Sequence, residues 1–523
     1  MKPDADALQP TPQAIRSRVA EPVLSEPVDT AVMDKHLVGS IAWTAAAKWS
    51  SQMLTWLCLL IVARLLTPAD FGVVSVAGVY LGLVAIFSEF GFGSAVITLR
   101  NLTIDEIAQI NTFSVISGAL GFLISCALAK PIGWFFRSAE LPAVILVMST
   151  NFLITGFKTV PCSLQQREFR FKRLSLIDSL GAIAQSVCVL LLAWAGSGYW
   201  ALVLGSVISA LLVTTLNVVS RPVGFARPKL RSIAHALNFS WQVLVAKFSW
   251  SLFTDADFLV AGRILGTTAL GAYSFAWNLA TLPVEKVTAV VGQVTPAFFA
   301  ANQADQSGLR RYLQSLTEAL SLVTFPATIG LGLVAREFVT LVLGERWSGV
   351  VGPLEVLAFY ASVRSVSALL GPLLTALRET RFLMWINVMA VGIMPVAFYV
   401  GSRWGPAGIA WGWVIAYPAV ALPLYLRALR RIGMPVRSYI GAIRPALQGS
   451  LAMILAVSVF KWAMPAAWPL YVRFAIEVGV GAAAYLGVLA VLHADRMRAF
   501  VRLFQSIRAA RHAAPAAGGN NIA

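Results

Sequence analysis

Charged residues are scarce in this 523-residue chain: Asp, Glu, Lys and Arg make up 12% of it, whereas 58% of the residues are hydrophobic. A soluble protein of this length has no core large enough for that composition, and we therefore predict a polytopic membrane protein. The hydrophobic runs are continuous and do not alternate with polar residues, which excludes a closed β-barrel. The predicted fold class is all-α.

Cysteine and histidine are also rare, with four of each. The cysteines lack the spacing of zinc ligands or disulfide pairs, and the histidines fall in tails or loops. The sequence has no P-loop signature, which excludes an internal ATPase. Asp255-Ala-Asp257 has the spacing of a glycosyltransferase metal motif, but it lies in an apolar helix. We therefore predict no cofactor, no metal site and no catalytic residues, and we do not expect an enzyme.

The net charge of +17 is unevenly distributed along the chain. Lys and Arg concentrate in alternate loops, with about eighteen on one side of the predicted membrane and about eight on the other, which is the positive-inside asymmetry. This placement indicates membrane topology and not a nucleic-acid partner. The basic side is predicted to be cytoplasmic, and an even number of spans places both termini there.

About fourteen apolar segments lie between Leu37 and Leu492, each with the roughly 17 to 25 residues that a ~30 Å hydrocarbon core requires. They group as six, six and two. The predicted divisions are a disordered cytoplasmic tail at 1–36, an N-terminal six-helix lobe at 37–220, a basic cytoplasmic linker at 221–236, a C-terminal six-helix lobe at 237–430, two additional transmembrane helices at 439–492 and a basic cytoplasmic tail at 493–523.

The stretch from Ala47 to Gly93 occurs twice. A shift of 199 residues without a gap aligns it with residues 246–292, and twelve of forty-seven positions are identical. The rarer identities include Lys48 with Lys247, Arg64 with Arg263, Gly72 with Gly271, and Ser75 with Ser274. Self-similarity over this length predicts two structural halves of related fold.

Polar residues on the first helix of each copy recur at helical spacing, which places them on one face. They are Thr44, Lys48, Gln52 and Thr55 in the first copy, and Ser240, Lys247, Ser251 and Thr254 in the second. Each Lys could simply extend its ammonium to a membrane interface. We favour a water-filled cavity, because both Lys residues lie near the middle of their segments.

Ionisable residues inside membrane spans cost about 2.5 kcal/mol or more each, so they normally face a cavity or a partner. Lys48, Lys247 and Arg364 would give a cavity excess positive charge, which suits a diphosphate. Asp255 could face the cavity or only balance Lys247. The substrate-cavity candidates are Lys48, Gln52, Lys247, Asp255 and Arg364, and the gate candidates are Arg64, Arg263 and Glu89. Each Arg of the gate could instead anchor a helix end at the lipid headgroups.

Several motifs together resemble one transporter family. They are Ala63-Arg-Leu-Leu-Thr-Pro-Ala-Asp-Phe-Gly72, Glu89-Phe-Gly-Phe-Gly93, Gln166-Arg-Glu-Phe-Arg-Phe-Lys-Arg-Leu174, Asp257-Phe-Leu-Val-Ala-Gly-Arg-Ile-Leu-Gly266, Leu270-Gly-Ala-Tyr-Ser274 and Leu343-Gly-Glu-Arg-Trp347. Over residues 37–440 the chain resembles the Wzx-type flippases of the multidrug/oligosaccharidyl-lipid/polysaccharide exporter superfamily. The resemblance implies two six-helix lobes around a cavity that opens alternately to each side, through which a lipid-diphosphate-linked oligosaccharide crosses headgroup first. Asp255 departs from the family pattern.

The resemblance implies a flippase for polyprenyl-diphosphate-linked oligosaccharide in the bacterial inner membrane, serving exopolysaccharide, capsule or O-antigen assembly. Its expected partners are this lipid-linked sugar and membrane lipids, with a polysaccharide polymerase and export proteins as further candidates. Two alternatives stay open. An ion-coupled multidrug antiporter of the same superfamily would have a mainly acidic cavity. A membrane polymerase or glycosyltransferase usually carries a large folded outer loop, whereas the predicted outer loops here are short.

Overall fold

The computed structural model describes residues 52–89, 91–99, 102–227, 251–301, 305–465 and 468–494, with a few single residues between 240 and 250. Every regular element in these ranges is a helix, so the prediction of an all-helical chain is confirmed. Lys48, Lys247, most of the linker and both terminal tails lie outside the described residues. What the sequence predicts for them stays a prediction.

The N-terminal half, residues 52–220, consists of seven helices. They are α1 (Gln52–Leu65), α2 (Pro68–Glu89), α3 (Phe92–Thr98), α4 (Ile104–Phe136), α5 (Leu141–Arg167), α6 (Phe171–Trp194) and α7 (Trp200–Ser220). A capping box starts α4, because Thr103 accepts from the Glu106 N–H and the Glu106 carboxylate accepts from the Thr103 N–H. Gly196 and Gly198 both have positive φ, which makes the α6–α7 turn very tight.

The C-terminal half, residues 251–431, begins with the helical residues 251–254, and a short α8 and a long α9 follow. Its helices are α8 (Ala256–Ile264), α9 (Thr267–Ala301), α10 (Gln306–Leu333), α11 (Ala335–Phe338), α12 (Val351–Ser367), α13 (Leu370–Ala376), α14 (Thr380–Gly401) and α15 (Gly405–Arg431). A π-helical turn, Val339–Leu343, and a 3₁₀ turn, Glu345–Val350, connect α11 to α12. Two further helices follow, α16 (Val436–Ala463) and α17 (Leu470–Leu492).

Ten helical stretches among the described residues are long and apolar enough to cross a membrane. One of them, Thr380–Arg431, bends at the 3₁₀ turn Ser402–Trp404 into α14 and α15. The chain is therefore a multi-pass membrane protein. The total of about fourteen spans stays a prediction, because part of the chain lies outside these ranges.

The helices alternate in direction and collect their turns at two ends. At one end, which we call the Arg64 end, lie the turns at 66–67, 137–140, 195–199 and 265–266. The backbone N–H of Tyr199 donates to the Asp70 carboxylate there at 3.0 Å, which joins two of these turns. At the other end, the basic end, lie the turns at 168–170, 221–227, 377–379 and 432–435.

The two halves share a hydrophobic core at the Arg64 end. The largest buried cluster includes Val73 of α2 together with Leu270 and Phe275 of α9. Towards the basic end the clusters separate. One cluster, which includes Val96 and Leu164, is built from residues of the N-terminal half, and another is built from C-terminal residues. The described halves therefore share a core at one end, whereas at the other end their buried clusters are separate and the rings of Phe87 and Phe248, 5.1 Å apart between centroids, still meet across the boundary.

Candidate functional site: the boundary between the two halves

The first turns of α2 and α9 cross at two glycines. A Cβ placed on Gly72 would lie 1.8 Å from the carbonyl oxygen of Thr267, and a Cβ on Gly271 would lie 1.7 Å from that of Pro68. Both distances are far below ordinary contact, so only glycine lets the two backbones approach this closely. Gly72 and Gly271 are a pair in the sequence repeat, and so are positions 68 and 267. Their contacts are reciprocal.

One turn further along, the next repeat-related pair also meets. Ser75 Oγ donates to Ser274 Oγ at 2.9 Å, and both side chains are buried or half-buried. Reciprocal contacts between equivalent positions are what a two-fold axis between the copies would produce. The sequence repeat identifies these residues as equivalent, and the fold places them against each other.

Arg64, a predicted gate residue, bonds to the opposite half. Its Nε donates to the Val342 carbonyl at 2.6 Å, and one terminal nitrogen donates to the carbonyl of Leu341. Next to it, the indole N–H of Trp347 donates to the Ala63 carbonyl at 2.7 Å. These bonds fasten the end of α1 to the turns between α11 and α12. They do not test whether Arg64 gates transport.

Arg263 occupies the corresponding place on the other half. Its guanidinium lies over the ring of Phe135 at the end of α4, 4.9 Å from the centroid. It also lines a cavity together with Pro142, and Pro142 is the position that the 199-residue shift pairs with Leu341. Each Arg of the repeated pair therefore reaches across to the other half of the protein.

Glu89, the third gate candidate, is not brought to this place. It is the last residue of α2, about 30 Å along the helix from its start at the Arg64 end. The structure thus groups Arg64 with Arg263 and separates both from Glu89.

Gln52, a predicted cavity residue, contacts Lys286, which is not among the cavity residues predicted from the sequence. Lys286 Nζ on α9 donates to Gln52 Oε1 on α1 at 2.8 Å and lies 6.0 Å from the Trp56 ring centroid. Lys286 falls inside the span predicted near residues 270–299, so its charge was the signal that could have identified it as a cavity residue. This bond crosses between the halves, about 28 Å along α9 from its first residue.

The two neighbouring acids on α8 and its N-cap have different surroundings. Asp255 stands at a break before α8, is half-buried and accepts from the Ser251 hydroxyl. Asp257 is fully buried and accepts from the Tyr273 hydroxyl at 2.6 Å and from the Trp413 indole N–H at 2.9 Å. Asp257 therefore holds α8, α9 and α15 together within the C-terminal half. Of the two acids, Asp255 is the one available to a cavity.

Arg364, another cavity candidate, stacks on an aromatic ring within the C-terminal half. Its guanidinium carbon lies 5.6 Å from the Trp277 ring centroid. One terminal nitrogen, Nη1, is buried without a hydrogen-bond partner among the described residues. A buried donor in this state gains from an anionic or polar ligand. This observation fits the predicted role in binding a diphosphate without testing it.

Ion pairs fasten the basic end of each half separately. In the N-terminal half Glu168 pairs with Arg221 at 2.8 Å and with Arg170 at 2.9 Å. In the C-terminal half Glu379 pairs with Arg427 at 2.9 Å and also with Arg431. The hydrogen bond from Arg427, with the pairing to Arg431, holds the pKa of Glu379 below its ordinary value. Each of these networks stays within one half.

Within the described ranges, no three His, Cys, Asp or Glu side chains come together as a metal site requires. The groups that the structure does bring to the boundary are hydroxyl, amide, ammonium and guanidinium groups. Such groups can hold sugars and phosphates by hydrogen bonds and charge. They are suited to binding and releasing a polar ligand.

Comparison with known proteins gives one family and several relatives. A model of the family described as "Polysaccharide biosynthesis protein" matches residues 61–352. The chain is 25% identical to the lipopolysaccharide biosynthesis protein WzxC of Escherichia coli K12, over 77% of this chain and 83% of that protein. It is 25% identical to the teichuronic acid biosynthesis protein TuaB of Bacillus subtilis 168, over 87% of this chain and 95% of that protein.

The fold also resembles that of a solved transporter. The lipid II flippase MurJ, in an inward closed conformation, superposes with a TM-score of 0.69, covering 87% of this chain and 99% of that chain at 14% identity. At this identity the likeness concerns the fold alone. It extends over nearly the whole of the solved chain.

Proposed function

Because this chain belongs to the polysaccharide biosynthesis protein family, we propose that it is a flippase that moves polyprenyl-diphosphate-linked oligosaccharide repeat units across the bacterial inner membrane. The product would serve exopolysaccharide, capsule or O-antigen assembly; the relatives WzxC and TuaB are named for the biosynthesis of lipopolysaccharide and teichuronic acid. A polysaccharide polymerase and export proteins are the candidate partners. The observation that carries the proposal is the different packing of the halves at the two ends of the molecule.

A transporter that opens alternately to each side needs two halves that seal at one end while separating at the other. The halves here share one core at the Arg64 end, where Gly72 meets the backbone of α9 and Ser75 bonds Ser274. At the basic end each half has its own core and its own ion pairs. This packing supports a cavity that is sealed at the Arg64 end and is crossed further along by the Lys286–Gln52 bond.

The distribution of charge supports a cytoplasmic location for the basic end. Lys and Arg accumulate on the cytoplasmic side of membrane proteins, and Arg170, Arg221 and Arg427 belong to the turns at the basic end. With this orientation both termini are cytoplasmic and the seal lies on the outer side. A cargo that starts on the cytoplasmic side would then enter the proposed cavity from the basic end.

The cavity residues would bind the diphosphate and the sugars. The proposed set is Lys48, Gln52, Lys247, Asp255 and Arg364, to which the structure adds Lys286. Its basic side chains outnumber its single carboxylate, which suits a dianionic headgroup better than a cationic drug. The gate would consist of Arg64 and Arg263 with the α2–α9 crossing.

The test is to delete the protein and locate the lipid-linked repeat units with a membrane-impermeant sugar probe on spheroplasts. We expect the units to accumulate out of reach of the probe, and wild-type protein to restore their exposure. A Lys286→Ala protein present at normal level should restore it poorly, and Lys286→Arg should restore more. Normal exposure of the units in the deletion strain would refute the flippase. Unchanged units with altered resistance to cationic drugs would favour the antiporter.

A further inference from the structure

A cavity of about 570 Å³ opens at the Arg64 end between the α4–α5 turn and the α8–α9 turn. Its walls include Lys130, Trp134, Arg137, Ser138 and Pro142 from the N-terminal half, with Arg263 from the C-terminal half. None of these residues belongs to the proposed cargo cavity. Arg263 alone is shared with the proposed gate.

The lining carries three cations and no carboxylate. Among the described residues no acid forms an ion pair with Lys130, Arg137 or Arg263. The nearest acid along the chain, Glu140, instead accepts from the Ser138 hydroxyl at 2.9 Å. Like charges around one cavity repel each other, and an anion between them would remove that repulsion.

The backbone of the α4–α5 turn adds two observations that favour an anion. Arg137 follows the end of α4 with φ 56° and ψ 38°, a left-handed conformation that a helix end normally gives to glycine. The chain keeps a cation there despite the strain. Helix α5 then begins without a side-chain cap and with Pro142 in its first turn. The N-cap residue, Glu140, turns its carboxylate to Ser138 and leaves the first backbone N–H groups of α5 without a side-chain partner.

The cavity lies at the level of a membrane interface. Trp134 is 84% exposed and its neighbour Phe135 is 46% exposed. Aromatic side chains in such positions sit among lipid headgroups. The anion most available at that level is the phosphate of a lipid.

We propose that this cavity binds the phosphate group of a lipid headgroup at the outer face of the inner membrane. Because both halves supply cations, a bound phosphate bridges them and stabilises the arrangement that is sealed at the Arg64 end. Separation of the halves at that end would withdraw Arg263 and release the lipid. This proposal does not depend on which cargo the protein transports.

The structure offers a matched pair of variants for the test. Arg137 and Arg378 both have positive φ, 56° and 61°, after the end of a helix, but Arg378 lies at the basic end, away from the cavity. Glycine adopts positive φ without strain, so Arg137→Gly and Arg378→Gly should each raise the melting temperature in a maltoside detergent, which carries no phosphate. Only Arg137→Gly should lose lipid binding. A variant that merely failed to fold could not show that combination.

The purified full-length protein would be titrated separately with phosphatidylglycerol, polyprenyl diphosphate and inorganic phosphate, and bound ligand would be counted by native mass spectrometry. We expect wild type and Arg378→Gly to retain phosphatidylglycerol and Arg137→Gly to bind it at least tenfold more weakly. Binding of polyprenyl diphosphate alone, if Arg137→Gly loses it, would support the site and identify the cargo lipid as the source of the bound phosphate. Equal phosphatidylglycerol binding by all three proteins, or binding of inorganic phosphate without either lipid, would overturn the proposal.

Discussion

Replacing Gly72 with Ala should prevent the two halves from closing at the Arg64 end. The new methyl group would lie 1.8 Å from the Thr267 carbonyl oxygen, whereas ordinary contact begins at 3.4 Å. The obstructing atom belongs to the backbone of α9, so no side-chain rotation can relieve the clash. The two helices must therefore separate by about 1.6 Å at this point.

That separation would break the bonds that hold the seal. A rigid shift of this size lengthens the Ser75–Ser274 hydrogen bond from 2.9 Å to about 4.5 Å, beyond hydrogen-bonding distance. It would also loosen the bonds of Trp347 and Arg64 to the opposite half. Loss of two to three such bonds amounts to about 3 kcal/mol, which shifts the ratio of closed to open protein by roughly 100-fold.

The assay is disulfide formation between Ser75→Cys and Ser274→Cys in a background without the four native cysteines, all of which are free. Gly78→Ala is the matched control, because it lies on the same helix and its added Cβ meets nothing within 4 Å. Both substitutions raise helix propensity by about 1 kcal/mol, so a difference between them reports the contact. We expect slow crosslinking and weak polysaccharide export with Gly72→Ala, and normal values for both with Gly78→Ala.

Crosslinking and export by Gly72→Ala at the rates of Gly78→Ala would refute the reasoning. It would mean that α2 and α9 do not approach at Gly72 in the membrane. Slow crosslinking with full export would preserve the contact but remove it from the transport cycle.

Three further predictions concern the Ser75–Ser274 pair, Lys286 and Glu379. The Ser75→Cys/Ser274→Cys disulfide should block export under oxidant, and reductant should restore it, because the hydroxyl oxygens it replaces are 2.9 Å apart. Lys286→Ala should reduce export roughly tenfold, since a hydrogen bond from a charged group is worth about 1.5–3 kcal/mol, and Lys286→Arg should recover part of it. Glu379→Gln should lower the melting temperature of the purified protein, because it removes the ion pair to Arg427. The pKa of Glu379 is held below its ordinary 4.5, so this stabilisation is fully present above that pH, and the difference between the proteins should vanish as the pH falls through the lowered pKa of the folded protein.

Each of these predictions has its own refuting outcome. Full export with the disulfide formed quantitatively would show that the halves do not separate there. Wild-type export by Lys286→Ala would remove the inter-half bond from the mechanism. A Glu379→Gln protein that melts with the wild type at neutral pH would show that this pair, in which Glu379 is buried and Arg427 is partly exposed, contributes nothing measurable.

The sequence predicts the class of this protein because composition is averaged over the whole chain. A chain that is 58% hydrophobic and 12% charged cannot fold in water around one core, and the described helices agree. Some helix ends follow local residues: Thr103 with Glu106 caps α4, and Gly196 and Gly198 form the turn between α6 and α7. Family membership followed from motifs that lie close together along the chain.

The residues of the site were harder to predict, because burial and partners depend on distant parts of the chain. Asp255 and Asp257 differ little as a sequence pattern, yet Asp257 is enclosed by Tyr273 and Trp413 from other helices. Lys286 gives no local sign that it bonds Gln52, 234 residues away. An intramembrane charge can be identified from sequence, but its partner cannot.

The repeat shows where sequence information ends. The sequence by itself determined that Gly72 corresponds to Gly271 and Ser75 to Ser274, because homologous positions keep their residue types. Only the tertiary structure decided that these pairs touch. Two related halves can be joined through many surfaces, and the choice is made where small side chains let α2 and α9 approach until their backbones meet.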